Sequence, residues 1–234
     1  MIVAGHQPNY LPWLGFFDKM IQCDVFVVED CVQFERQGFE NRNRVKIRQG
    51  VIWLTVPVEH VGKGLLINEA RIANAAEPRW AERHWITLKQ NYHKAPFWEK
   101  YQGFFEQAYG KRWELLIDLN VHLIKGVMRF LGIEKRLVMA SSLGAGGNKA
   151  ELVLNQCKAL GATVLLAGSG AREYLRPEDF EEKGIKVVFQ HIKYPVYEQL
   201  HGAFVPDLSV IDYLFCTGGE PWRTADMKLK EQIV

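Results

Sequence analysis

Between residues 137 and 190 short apolar runs alternate with a helical stretch, and no other feature restricts the fold of this chain as much. Leu137 to Ala140, Thr163 to Ala167 and Lys186 to Gln190 read as strands, and Lys149 to Leu160 reads as a helix after the Gly144 to Gly147 loop. Strands separated by a helix pair in parallel, because the helix returns the chain to the same end of the sheet. The chain opens in the same way. Ile2-Val3-Ala4, bounded by Gly5, is a short strand candidate, and Trp13, Phe16, Phe17, Met20 and Ile21 follow at helical spacing.

The rest of the first third reads mainly as strands: Asp24 to Glu29, then Arg44 to Arg48 turning at Gln49-Gly50 into Val51 to Val58, then Leu65 to Ile72. From Pro78 to Leu131 the period becomes helical. Trp80, His84 and Leu88 form one stripe, and Phe97, Tyr101, Phe104, Phe105 and Ala108 another. Pro96 and Gly110 divide this stretch into three helices, the last from about Arg112 to Leu131 and ending at Gly132. The pattern predicts an α/β fold, a mainly parallel sheet with a helical insertion over about residues 78–131, in one domain spanning 1–234. An apolar fraction of 48% in 234 residues supplies ample core for that.

A formal charge of +2 gives no mandate for nucleic acid, and no apolar run is long enough for a membrane span. Cys23, Cys31, Cys157 and Cys216 lie too far apart for a metal clip and sit in apolar segments, as reduced thiols do. No charged leader precedes an apolar run at the N-terminus, so the expected compartment is the cytoplasm. The expected partner is a small molecule.

Polar residues gather in four places. His6, Gln7, Asn9 and Tyr10 fall in the first strand-to-helix loop, where a helix N-terminus favours phosphate or carboxylate; Pro8 and Pro12 equally suit a well-packed turn. Asp30, Gln33, Asn41, Asn43, Arg44 and Lys46 suit an anionic, hydroxyl-rich ligand such as a nucleotide sugar, or else a solvated edge strand. Ser169 and Gly170, with Tyr174 beyond them, follow an apolar strand in a turn that either cradles phosphate or simply joins strand to helix. Asn91 and Tyr92 end a helix, and His201 lies near the C-terminus. His6 and His201 are imidazoles that titrate near neutrality, with Asp30 or Asp212 available to orient them. No serine-hydrolase elbow, zincin helix or Cys-His signature is present, and no metal-ligand spacing.

The segments GHQPNYLPWLGFFDKM, DVFVVEDCVQF, NRNRVK, WLTVPV, WITLKQNYHKAPFW, NKAELVLNQCKALGAT, LLAGSGAREYL and PVYEQLHGAFVPDLSVIDYLF, in that order, resemble the WbqC-like proteins. The resemblance implies a bacterial cytoplasmic protein associated with surface-polysaccharide biosynthesis and a transfer onto a sugar. It carries over His6, Gln7, Asn9, Tyr10, Asp30, Gln33, Asn41, Asn43 and Lys46; Asp207 and Cys216-Thr217 depart from its C-terminal pattern. Three functions follow. One is acyl or aminoacyl transfer to a nucleotide-linked amino sugar, with His6, Asp30 and Lys46 catalytic and Asn43, Arg44 and Lys46 on diphosphate. The second is nucleotidyl transfer or adenylate formation of the HIGH-type layout, using ATP with magnesium, although Asn9 stands where a second histidine belongs. The third is binding of a nucleotide sugar without turnover. The cofactor is an acyl or aminoacyl donor in the first case and ATP in the second.

Overall fold

In the computed structural model, which describes residues 1–62, 64–192 and 194–221, five parallel strands form the central sheet. They are β1 (Ile2–His6), β2 (Val25–Val28), β5 (Arg136–Met139), β6 (Val164–Ala167) and β7 (Lys186–Phe189), in the order β5-β2-β1-β6-β7. The chain therefore starts at the centre, steps outward through β2 to β5, and returns to build β6 and β7 on the other side of β1. The register pairs Ala4 with Phe26 on one side and with Leu166 on the other. The inner strands β2 and β6 are wholly apolar and buried because both faces are covered, whereas the edge strands β5 and β7 are half-buried and begin with an exposed Arg136 and Lys186.

Alternation assigns the two faces. Ile2, Ala4, Phe26, Val28, Val164 and Leu166 join one core with helix α1 (Leu14–Gln22) and the helices α2 (Trp80–Tyr92), α3 (Trp98–Gly110) and α4 (Leu116–Phe130). Val3, Val25, Val27, Leu165 and Ala167 join a second core with Cys157 of α5 (Ala150–Leu160) and Phe180 of α6 (Pro177–Glu181). The last helix, α7 (Val210–Thr217), is capped by the Ser209 hydroxyl and packs into the first core.

All of α2 to α4 lies between β2 and β5, as the helical period indicated, together with an antiparallel hairpin of β3 (Arg42–Ile47) and β4 (Gly50–Thr55). Two expectations are corrected. Leu65 to Ile72 is no strand but a 3-10 turn over Ile67–Glu69, tied by isolated bridges such as Gln33 to Leu66 and Val58 to Ile72 and by backbone hydrogen bonds such as Ile67 N to Val32 O. The segment after β6 is a 3-10 turn, Ser169–Glu173, and not the start of an α-helix, so no helix dipole points at its glycines. Among the described residues no helix is long and apolar enough to cross a membrane, and the four cysteines are free thiols.

The loop from Gln7 to Trp13 is held from several sides. Asn120 of α4, fully buried, donates to Pro8 O and to Glu40 O, and Asn43 of β3 donates to Leu11 O at 2.7 Å. Tyr10 N donates to Phe39 O. Leu11 is kept at a φ of +46°, a strained angle for leucine that persists only because these bonds over-determine it. Glu40, whose carbonyl shares Asn120, is buried just before β3, and burial pushes its carboxyl up to about 7. A carboxyl raised in the folded state contributes stability that is present below its unfolded value of about 4.5 and lost as pH climbs through 7. Urea denaturation of wild type and Glu40→Gln at pH 4.5 and 7.5 should show the variant gaining about 3 kcal/mol relative to wild type at the higher pH.

Candidate functional site

The chain leaves β1 and β6 in opposite directions across the sheet, so the gap beyond their carboxyl ends is the switch point where open α/β sheets bind ligands. His6 ends β1, and Gly168 to Gly170 follow β6. His6 is half-buried, flanked edge-on by Trp13 and Phe16 with ring centroids 5.3 Å away in each case. Its Nδ1 lies 3.0 Å from Gln7 O, an acceptor only, so Nδ1 carries the proton and Nε2 is the bare nitrogen. Burial, reinforced by the nearby Lys19 charge, lowers the imidazole to about 3. At neutral pH His6 is an uncharged hydrogen-bond acceptor.

Lys19 comes from the face of α1 that carries Phe16 and Cys23, and is 4% exposed. Burial lowers its ammonium to about 8. The hydrogen bond it makes is to Gly5 O, at 3.4 Å, so most of its donor capacity is unspent. A side chain on Gly168 would set its first carbon 3.0 Å from Nζ. Glycine leaves the ammonium uncrowded at the β6 end, where a larger residue would push it aside by a few tenths of an ångström.

Glu29 approaches from the opposite face, continuing the Val25, Val27 alternation just past β2. Its Oε2 accepts from Gln156 of α5 at 2.8 Å, and its Oε1 would lie 2.6 Å from a side-chain carbon on Gly5. Burial raises this carboxyl to about 7, against the lowering pull of Gln156 and Lys19. Tyr174, exposed at the rim, is raised by burial and by the same carboxylate. Lys19 and Glu29 thus meet across the strand ends from the two sides of the sheet, within electrostatic reach of one another.

Of the residues anticipated from sequence, His6, Gln7, Ser169, Gly170 and Tyr174 are brought to this edge. The half-buried Gln7 carboxamide has no hydrogen-bond partner among the described residues. Asn9 is buried in the same loop. The others lie elsewhere. Asp30, beyond β2, accepts from Ser141 N and Ser141 Oγ and ties the end of β2 to that of β5. The Tyr10 hydroxyl is buried between His84 and Tyr109. Asn41 flanks the hairpin and donates to Val56 O, Gln33 bridges to Leu66 outside it, and Arg44 donates to Asp207 O. Lys46, Asn91, Tyr92 and His201 belong to a network joining β3, α2, α7 and the 199–206 loop: Lys46 Nζ donates to Gln199 Oε1, Gly202 O and Ala203 O, Tyr92 donates to Asp212, and His201 Nε2 pairs with Asn91 O.

Lys19 and Glu29 escaped the reading of the sequence, yet each left a signal. A lysine between Phe16 and Cys23 falls on the buried stripe of its helix, and a glutamate after Val25 and Val27 extends a buried strand face. Among the described residues no group of three or more His, Cys, Asp or Glu side chains is placed to hold a metal ion.

Residues 7–224 match the model of the WbqC-like protein family. The chain is 34% identical over 220 residues to the uncharacterized protein Rv1507c of Mycobacterium tuberculosis (strain ATCC 25618 / H37Rv), covering 93% of this chain and 94% of that protein. No solved structure matches it.

Proposed function

The chain belongs to the WbqC-like protein family, and we propose that it is a transferase that moves an acyl or aminoacyl group onto the amine of a nucleotide-linked sugar. The observation that carries this reading is Lys19: a buried cation at the switch point of the sheet with one long hydrogen bond. Such a group is costly to hold unless an anion completes it. A phosphate of the nucleotide sugar supplies that anion, and the bare Nε2 of His6 and the Gln7 carboxamide orient sugar hydroxyls beside it.

In the transfer itself the acceptor amine forms the new N–C bond at the donor carbonyl, the bond from that carbon to the donor's leaving oxygen or sulfur breaks, and the amine proton passes to Glu29. Its raised value, about 7, suits proton transfer near neutral pH better than His6 does. The leaving group departs with a proton from the medium. The choice of donor sets the leaving atom.

A second reading is nucleotidyl transfer. A central first strand ending in His6, followed after the loop from Gln7 to Trp13 by α1, with Ser169 across the gap, has the layout of the HIGH-type enzymes. Thermal-shift measurements with nucleotide sugars, acyl thioesters and ATP with magnesium separate the two. A ligand at 100 times its Kd stabilises by about 2.7 kcal/mol. A shift with a nucleotide sugar that is lost in Lys19→Met supports the first reading; a shift with ATP and magnesium alone replaces it with the second.

A further inference from the structure

A cavity of about 350 Å³ opens beside the hairpin, away from the sheet edge, lined by Phe34, Arg36, Asn41, Thr55, Pro57, Val58 and Val61. That volume falls in the range of small-molecule sites. Its wall is divided. Phe34, Pro57, Val58 and Val61 make an apolar side, whereas Arg36, Asn41 and Thr55 bring a cation, an amide and a hydroxyl. The Arg36 guanidinium is exposed and has no hydrogen-bond or ion-pair partner among the described residues. Asn41 is 7% exposed, and its Nδ2 is fixed on Val56 O at 2.8 Å, which leaves Oδ1 buried beside the cavity without a donor. A buried acceptor left in this way costs free energy that an arriving O–H or N–H recovers.

The same side of the hairpin continues the pattern. Trp53 is 43% exposed, Arg42 sits 4.4 Å over its ring, and Phe39 packs against it at 5.7 Å. Arg42 faces Thr55 in the strand register, so cavity and rings adjoin. We propose that this cavity binds a cyclic polyhydroxy carboxylate of hexuronate type. The carboxylate takes the planar fork of Arg36, ring hydroxyls donate to Asn41 Oδ1 and exchange hydrogen bonds with Thr55, and the C–H face of the ring covers Pro57 and Val58. A purely apolar ligand leaves Arg36 and Asn41 unmet, and a bare phosphate leaves the apolar wall wet. This site does not depend on the transferase reading, because none of its residues touches the sheet edge.

The test is calorimetric titration of D-glucuronate, methyl glucoside, benzoate and inorganic phosphate into wild type, Arg36→Ala and Thr55→Val, with melting curves to confirm folding. Both substitutions are at exposed positions and preserve the core. The expected result is saturable binding of D-glucuronate, weakened at least tenfold by Arg36→Ala and severalfold by Thr55→Val, with the other three probes at least tenfold weaker. The proposal is overturned if methyl glucoside, benzoate or phosphate binds as tightly as D-glucuronate, or if Arg36→Ala leaves its affinity unchanged. A nucleotide-sugar shift that disappears in Lys19→Met but survives Arg36→Ala reports on the sheet edge alone.

Discussion

Lys19→Met is expected to make the protein more stable at pH 7 by about 3 kcal/mol, the free energy corresponding to an ammonium lowered from 10.5 to about 8. Methionine fills a similar volume without a charge to desolvate, and the acceptor it gives up, Gly5 O, was held at only 3.4 Å. The sign can be checked a second way. Between pH 8 and 10.5 the unfolded chain keeps a proton that the folded Lys19 has lost, so the penalty from Lys19 fades with rising pH across that window. Guanidinium denaturation from pH 7 to 10.5 should show the advantage of Lys19→Met over wild type shrinking from about 3 kcal/mol toward zero, while the raised thiols of Cys23, Cys157 and Cys216 act on both proteins alike. A variant that melts below wild type at pH 7 would make Lys19 a structural residue and remove the main support for an anion at the sheet edge. A gain in stability with loss of ligand response is the pattern of a site that trades stability for function.

The sheet was legible because its signals are periodic and local: Val25 to Val28 and Val164 to Ala167 are apolar on both faces, which only a covered parallel strand requires. The helices of the insertion were legible for the same reason, through stripes such as Trp80, His84 and Leu88. Leu65 to Ile72 misled because a β-rich composition describes burial as well as extension; Ile67, Ala70 and Ile72 are buried from a turn. The candidate site was half legible. His6 and Ser169 announce themselves as polar residues next to strand ends, but Lys19 and Glu29 are hidden inside apolar stretches, and what gathers them is strand order, which no local pattern encodes. Lys46 shows the reverse: a conspicuous cation in a basic run whose three donors the fold has already used.

Lys46→Met should therefore act in the opposite sense to Lys19→Met, destabilising the protein by about 3–5 kcal/mol. Both lysines are almost fully buried, at 3% and 4% exposure, so burial alone does not separate them. What separates them is satisfaction. Lys46 Nζ holds Gln199 Oε1 at 3.2 Å, Gly202 O at 3.1 Å and Ala203 O, and its charge favours the ionised form of Asp212, a buried carboxyl that also accepts from Tyr92 and Tyr197. Methionine strands two backbone carbonyls in the 199–206 loop and removes the cation facing Asp212. Amide exchange should accelerate first in that loop, where Lys46 supplies the tie between the hairpin and the turn at Gly202. Pairing Lys46→Met with Asp212→Asn in a double-mutant cycle isolates the electrostatic part: if the two act as one network, the double variant loses at least 1 kcal/mol less than the sum of the single losses. Strict additivity would assign Lys46 to loop anchoring alone and leave Asp212 held by its two tyrosines.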